Sequence, residues 1–250
     1  MKAIIGDAVP ASYTPQRIPR FQGNPYIEAL PPAVSDDQVF DTLMLSPDFD
    51  PEQRHWEPHE RLQQLKSLGN FMVPFPRHLE LARTVDSMLR ESYVGRLPKT
   101  SEYMATLVKI YERQKAGETF SQSPHTAAQP ESVALIGASG LGKSTTLRRW
   151  LAHYPQVIHH ESLGETQVTY LYVDMRSSGN SVKALVISII QQLDRLLPAH
   201  GYARMYLKDV SRTSSDALMM DAARLMHIHR VGLLVCDEVQ AGFGRTGKLF

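Results

Sequence analysis

The chain has 250 residues, 42% of them hydrophobic, and a formal net charge of +1, enough apolar material for one good core and a small second unit. No run of 18 apolar residues occurs, Met1-Lys-Ala-Ile-Ile is broken by Gly6 and Asp7, and Cys236 is the single cysteine. These facts exclude a membrane span, an intrachain disulfide and a multi-cysteine zinc site, and they lead to the expectation of a cytoplasmic protein with no membrane partner.

Residues 1–70 carry nine prolines between Pro10 and Pro58, which interrupt any helix before it establishes itself. This stretch reads as an extended, partly disordered arm with short helical pieces, whose Phe21, Tyr26, Ile27 and Leu30 dock on another surface rather than build a core. Two helical stripes follow within 71–116, one over about 77–91 and one over about 101–115, and together they predict a helical hairpin. Residues 117–130 are small, polar and proline-containing, and read as a linker.

From 131 to 250 short apolar runs alternate with amphipathic segments. The pattern predicts strands at 133–136, 168–173 and 232–236, and helices at about 143–153, 181–197 and 215–227. Strands joined by helices of ten or more residues indicate an α/β fold with a parallel sheet. Basic residues outnumber acidic ones by 13 to 10 in this half and trail them by 14 to 16 in residues 1–130. An excess of that size does not specify nucleic acid as a partner.

Gly137-Ala138-Ser139-Gly140-Leu141-Gly142-Lys143-Ser144-Thr145 fits the spacing of a phosphate-binding loop, or Walker A motif, directly after an expected strand and opening an expected helix. The glycines let backbone N–H groups turn towards phosphate oxygens, and the helix N-terminus adds partial positive charge. Lys143 reaches the β and γ phosphates of ATP, and the Ser144 hydroxyl serves Mg²⁺. Gly232-Leu-Leu-Val-Cys-Asp237-Glu238 reads as the companion Walker B strand. There Asp237 orients the Mg²⁺ shell and Glu238 polarises the attacking water as general base.

Other patterns are weaker. Gly242 to Lys248 has a phosphate-loop spacing, but Leu249 stands where the hydroxyl belongs. His227 and His229 lie two apart on an expected helix and face different directions, and Pro58 interrupts the helix that would pair His55 with His59. Cys236 reads as a core residue.

Six segments together carry a family resemblance: Asn24-Pro-Tyr-Ile-Glu-Ala-Leu-Pro-Pro32, Tyr93-Val-Gly-Arg-Leu-Pro-Lys-Thr100, the 137–145 loop, Tyr154-Pro-Gln-Val-Ile-His159, Gln167-Val-Thr-Tyr-Leu-Tyr-Val-Asp174 and Gly232 to Gln240. Over about residues 21–240 the chain resembles the TnsC/TniB AAA+ ATPases that regulate bacterial transposition. The resemblance implies a P-loop NTPase core of AAA+ type, with a parallel sheet in a three-layer αβα arrangement, preceded by a helical N-terminal region. It implies ATP and Mg²⁺ as cofactors, hydrolysis of ATP to ADP and phosphate, and self-association into a ring or filament on duplex DNA. It also implies transposase subunits and a target-selector protein as partners. The loop from Arg176 to Lys183 either contacts DNA phosphates or is a solvated surface loop.

The family's sensor, arginine finger and lid are expected beyond Walker B, so the core reads as cut short there, with an atypical tail at 241–250 and poor hydrolysis. The last 14 residues resemble the cofactor segment of class III pyridoxal-phosphate aminotransferases. A non-catalytic interaction fragment of a transposition regulator is the alternative function, and an aminotransferase fragment the remote one.

Overall fold

The computed structural model describes residues 8–47, 50–96, 131–175 and 181–239, with the single positions 98, 105, 108 and 112. The second expected hairpin helix, the linker at 117–130, Arg176 and the tail at 241–250 therefore lie essentially outside the described residues. The chain divides into two compact units, one of Met1–Pro32, Met88–Val133 and Tyr154–Phe250, the other of Ala33–Ser87 and Ala134–His153.

The larger unit is mixed α/β, with two small sheets. Strand β1 (Val9–Pro10) runs parallel to β2 (Val157–His160), and β2 turns back antiparallel into β3 (Glu165–Val168). The turn closes at Gly164, whose φ of +64° is a conformation glycine adopts at no steric cost. Strands β4 (Tyr170–Asp174) and β5 (Leu233–Asp237) form a parallel pair with Tyr170 opposite Leu233 and Asp174 opposite Asp237. A parallel pair needs a crossover, and helices supply it here.

The first crossover helix, α6 (Val182–Leu196), starts where the Ser181 side chain accepts a hydrogen bond from the Ala184 N–H, at 3.1 Å. Its buried Val186, Ile189, Ile190 and Leu193 fall at helical spacing and share one core with Leu171 and Val173 of β4. After the short α7 (Tyr202–Tyr206), α8 (Ser215–Ile228) begins at a Ser214 cap and adds Leu218, Ala222 and Leu225 to the same core. Each such buried leucine contributes about 1.5–3 kcal/mol relative to exposure.

The apolar residues of the N-terminal stretch belong to this unit's interior. Phe21, Tyr26, Ile27 and Leu30 are 0–4% exposed, which corrects the expectation that they avoid a core. The one-turn helix α1 (Pro25–Glu28) explains how: Asn24 accepts from the Tyr26 N–H at 3.0 Å and Pro25 pre-sets the first turn. The same Asn24 side chain donates to the Tyr93 carbonyl at 2.7 Å.

The smaller unit is helical. Helix α2 (Asp36–Leu43) opens on a reciprocal cap between Ser35 and Gln38, followed by α3 (Pro58–Gln64), the first three turns of α4 (Pro76–Glu91), and α5 (Lys143–Leu151). Val39, Leu43, Ala82, Val85, Trp150 and Leu151 are buried. The Arg149 guanidinium of α5 donates to the carbonyls of Thr42, Leu43 and Met44 at 3.0–3.1 Å, supplying partners to the otherwise unsatisfied C-terminal end of α2.

Two sequence expectations are corrected. Residues 133–136 form no strand: Val133, Leu135 and Ile136 are 61%, 44% and 90% exposed. An apolar run becomes a strand only when a neighbour takes its backbone hydrogen bonds, and among the described residues none does. The single strand expected at 168–173 is instead the end of β3 and most of β4, separated at Thr169. This residue is fully buried, and its hydroxyl donates to the Pro155 carbonyl at 2.6 Å.

Candidate functional site

The loop 137–142 turns through two glycines in the left-handed region, Gly140 at φ +82° and Gly142 at φ +78°, where any side chain would be strained. Gly142 stands at the N-cap of α5, so no side chain caps the helix start. The first-turn N–H groups of a nine-residue helix therefore carry their partial positive charge outward beside the loop. Ala138, Ser139, Gly140 and Leu141 are exposed, Ser144 is partly buried on the first turn of α5, and Thr145 beside it is exposed.

Lys143 folds back on its own loop. Its ammonium donates to the carbonyls of Gly137 and Ala138 at 2.7 and 2.8 Å, which holds the loop as a ring and leaves one N–H donor over. Sequence reasoning missed the wall beside it. His78 of α4, 7% exposed, accepts from the Phe75 N–H through Nδ1 at 3.1 Å. Its proton therefore sits on Nε2, which faces the Leu141 carbonyl at 3.4 Å. A pocket of about 100 Å³ lies between Arg77, His78 and Leu81 on one side and Leu135, Gly137 and Lys143 on the other. The only sequence sign of this wall is an Arg-His pair at a helix start, which is too common to single out.

Asp237 and Glu238 stand at the carboxyl end of β5, in the other unit. One oxygen of Asp237 accepts from the Glu238 N–H at 2.9 Å, and the other accepts from the Tyr172 hydroxyl of β4. Glu238 itself adopts φ +55°, a conformation that costs a non-glycine residue roughly 1–2 kcal/mol and that concentrates at functional sites. Cys236 is half-buried, and burial pushes its thiol pKa up, which keeps it protonated and unreactive.

Lys183, expected in a DNA-facing loop, donates to the Thr213 carbonyl at 2.6 Å. That contact ties the start of α6 to the loop before α8 and leaves its ammonium two further donors.

The donors suited to a metal are hard oxygens, the Ser144 hydroxyl and the Asp237 carboxylate. Among the described residues no group of three or more His, Cys, Asp or Glu side chains is arranged to hold a cation. Each of the two oxygens, one in either unit, is of the hard type that suits Mg²⁺ rather than zinc.

Residues 127–249 match the family model of an AAA domain. An AAA domain occupies this stretch. Its presence, with the mixed α/β fold and the parallel β4–β5 pair, fits an AAA+ ATPase of the P-loop NTPase class and suggests nucleotide binding. Among curated proteins none matches the chain.

The AAA domain includes the 137–145 loop, β2 to β5 and α5 to α8, and the matched stretch runs over the tail residues that also resemble an aminotransferase segment. Residues before it brace its last described strand. The Tyr93 hydroxyl donates to the Arg230 carbonyl at 3.0 Å and Arg96 donates to the Val231 carbonyl at 2.9 Å, immediately ahead of β5. Burial raises the Tyr93 pKa well above that of an ordinary phenol, so the hydroxyl remains a donor. Within the described residues no helix is long and apolar enough to cross a membrane.

Proposed function

We propose that the chain is an ATP-dependent regulator of DNA transposition, which binds ATP and duplex DNA, self-associates, and links a target-site selector to the transposase. The observation that carries the nucleotide half of this reading is the 137–145 loop. Two left-handed glycines, an uncapped helix start and a lysine already aimed at the loop centre form a cradle for phosphate. The transposition half rests on the resemblance, two of whose segments lie outside the ATP motifs and touch each other through Asn24 and Tyr93.

In this reading Lys143 exchanges the Gly137 and Ala138 carbonyls for the β and γ phosphates, a charge-assisted gain over neutral acceptors. The α5 N-terminus takes the remaining phosphate charge. Ser144 would offer its hydroxyl and Asp237 its carboxylate to Mg²⁺, whose charge would offset that of the phosphates. Glu238 holds the attacking water and accepts its proton. ATP placed between subunits then couples loss of the γ phosphate to loss of an interface, so hydrolysis times disassembly.

A second reading, a non-catalytic interaction fragment of such a regulator, is favoured by one observation, the exposed 133–136 segment ahead of the loop, which has no strand partner among the described residues. Electron microscopy and sedimentation with duplex DNA and a non-hydrolysable ATP analogue decide between them. The regulator reading expects assemblies that need both ligands and disappear with Lys143→Ala. Failure of the unmodified chain to assemble, with transposase capture indifferent to ATP, would establish the fragment reading.

A further inference from the structure

The β4–β5 register places beside Walker B a residue to which neither ATP-binding motif assigns a role. Tyr172 is directly opposite Val235, and Asp237 lies two residues further along β5. In a parallel pair both side chains stand on the same face, one diagonal step apart, a span that an aromatic side chain can cross. The Tyr172 hydroxyl does cross it and donates to the Asp237 carboxylate. The Glu238 N–H donates to the carboxylate's other oxygen at 2.9 Å. A carboxylate with a donor on each oxygen cannot rotate about its terminal torsion without breaking a bond. Tyr172 is itself fixed from both sides, since its neighbours Leu171 and Val173 are anchored in the core at 0% and 1% exposure.

We infer that Tyr172 is a positioning residue for the Mg²⁺-facing carboxylate Asp237. Its hydroxyl sets the plane of the carboxylate that Asp237 would offer to a hydrated cation. This role rests on the nucleotide reading proposed above. It assigns to Tyr172 no contact with ATP, Mg²⁺ or the reacting water. Groups of this kind, which orient a metal-facing carboxylate, typically change metal affinity or activity 10–100-fold when removed.

The test measures binding of a fluorescent ATP to the full chain, in EDTA and across a Mg²⁺ titration, for the unmodified protein, Tyr172→Phe, Asp237→Asn and the double variant. Phenylalanine keeps the ring and removes only the donor. Tyr172→Phe is expected to bind nucleotide in EDTA as the unmodified chain does, while the Mg²⁺ concentration for half-maximal enhancement rises about ten-fold. The double variant is expected to resemble Asp237→Asn alone, because both act through one contact. An unchanged Mg²⁺ midpoint in Tyr172→Phe, beside a shifted one in Asp237→Asn, overturns the positioning role. So does additivity of the two changes, or equal loss of binding in EDTA and in Mg²⁺, the signature of a merely structural residue. If the unmodified chain binds no nucleotide, the ATP reading itself falls and takes this role with it.

Discussion

Gly232 shows how tightly single residues are placed around β5. A Cβ there would lie 2.5 Å from Leu89 Cδ1, 2.6 Å from the Tyr93 hydroxyl and 2.7 Å from the Thr169 carbonyl. The last is backbone and cannot swing away. Gly232→Ala is expected to lower stability by about 1–3 kcal/mol, read as a fall in the denaturation midpoint, and a midpoint equal to that of the unmodified chain would show that this contact relaxes freely. At this scale Lys143, Ser144, Asp237 and Glu238 were legible in the sequence because their chemistry demands fixed spacing along the chain. Tyr172, His78 and Tyr93 were not. Their partners are set by strand register or by packing over 63 to 137 residues of separation, and no local pattern encodes such a distance.

Among the elements, helices read most directly. Serine caps stand at 181 and 214 with apolar residues recurring at helical spacing behind them, and both signals lie within a few residues of the element they define; the Ser35 cap of α2 stands among prolines and does not read as a helix start. Strands read less well, because a strand is half of a pair. The apolar run at 133–136 has the composition of β structure without a described partner, whereas Val157–His160, with two histidines, has poor strand composition and yet pairs on both edges. Helix α2 depends on a neighbour of a different kind. Its last carbonyls are taken by Arg149, a partly buried donor 105–107 residues away. Arg149→Ala is expected to cost about 1.5–3 kcal/mol, the value of hydrogen bonds to a charged group, and to speed amide exchange in Val39–Leu43 more than in α8. Uniform acceleration across both helices would contradict a local role for the clasp.

Over the whole molecule, buried histidines make the fold acid-sensitive. His227 is held down to about 4 by burial, then by the Arg230 and Arg96 charges; His229 is held down to about 4 by burial, then by His200. Unfolded, each takes up its proton near 6.5, so between these values the unfolded chain binds more protons and stability rises with pH. The contribution is complete above pH 6.5 and is lost as pH falls towards 4, at roughly 1.4 kcal/mol per pH unit for each histidine. The melting temperature is expected to fall between pH 7 and pH 5, and His229→Gln should flatten that fall; a pH-independent melting temperature over this range would refute the account. The larger unit also joins the start of the described chain to a strand far along it, since Val9 pairs with Ile158, about 150 residues later. A ribosome adding about 5–20 residues per second needs roughly 7–30 s to deliver that partner. For much of that interval Tyr26 has emerged without β2 and β3, whose His160, Glu165 and Gln167 it meets in the folded chain. The newborn chain thus carries apolar surface that only later-made segments can cover, a stage at which such chains are prone to aggregate.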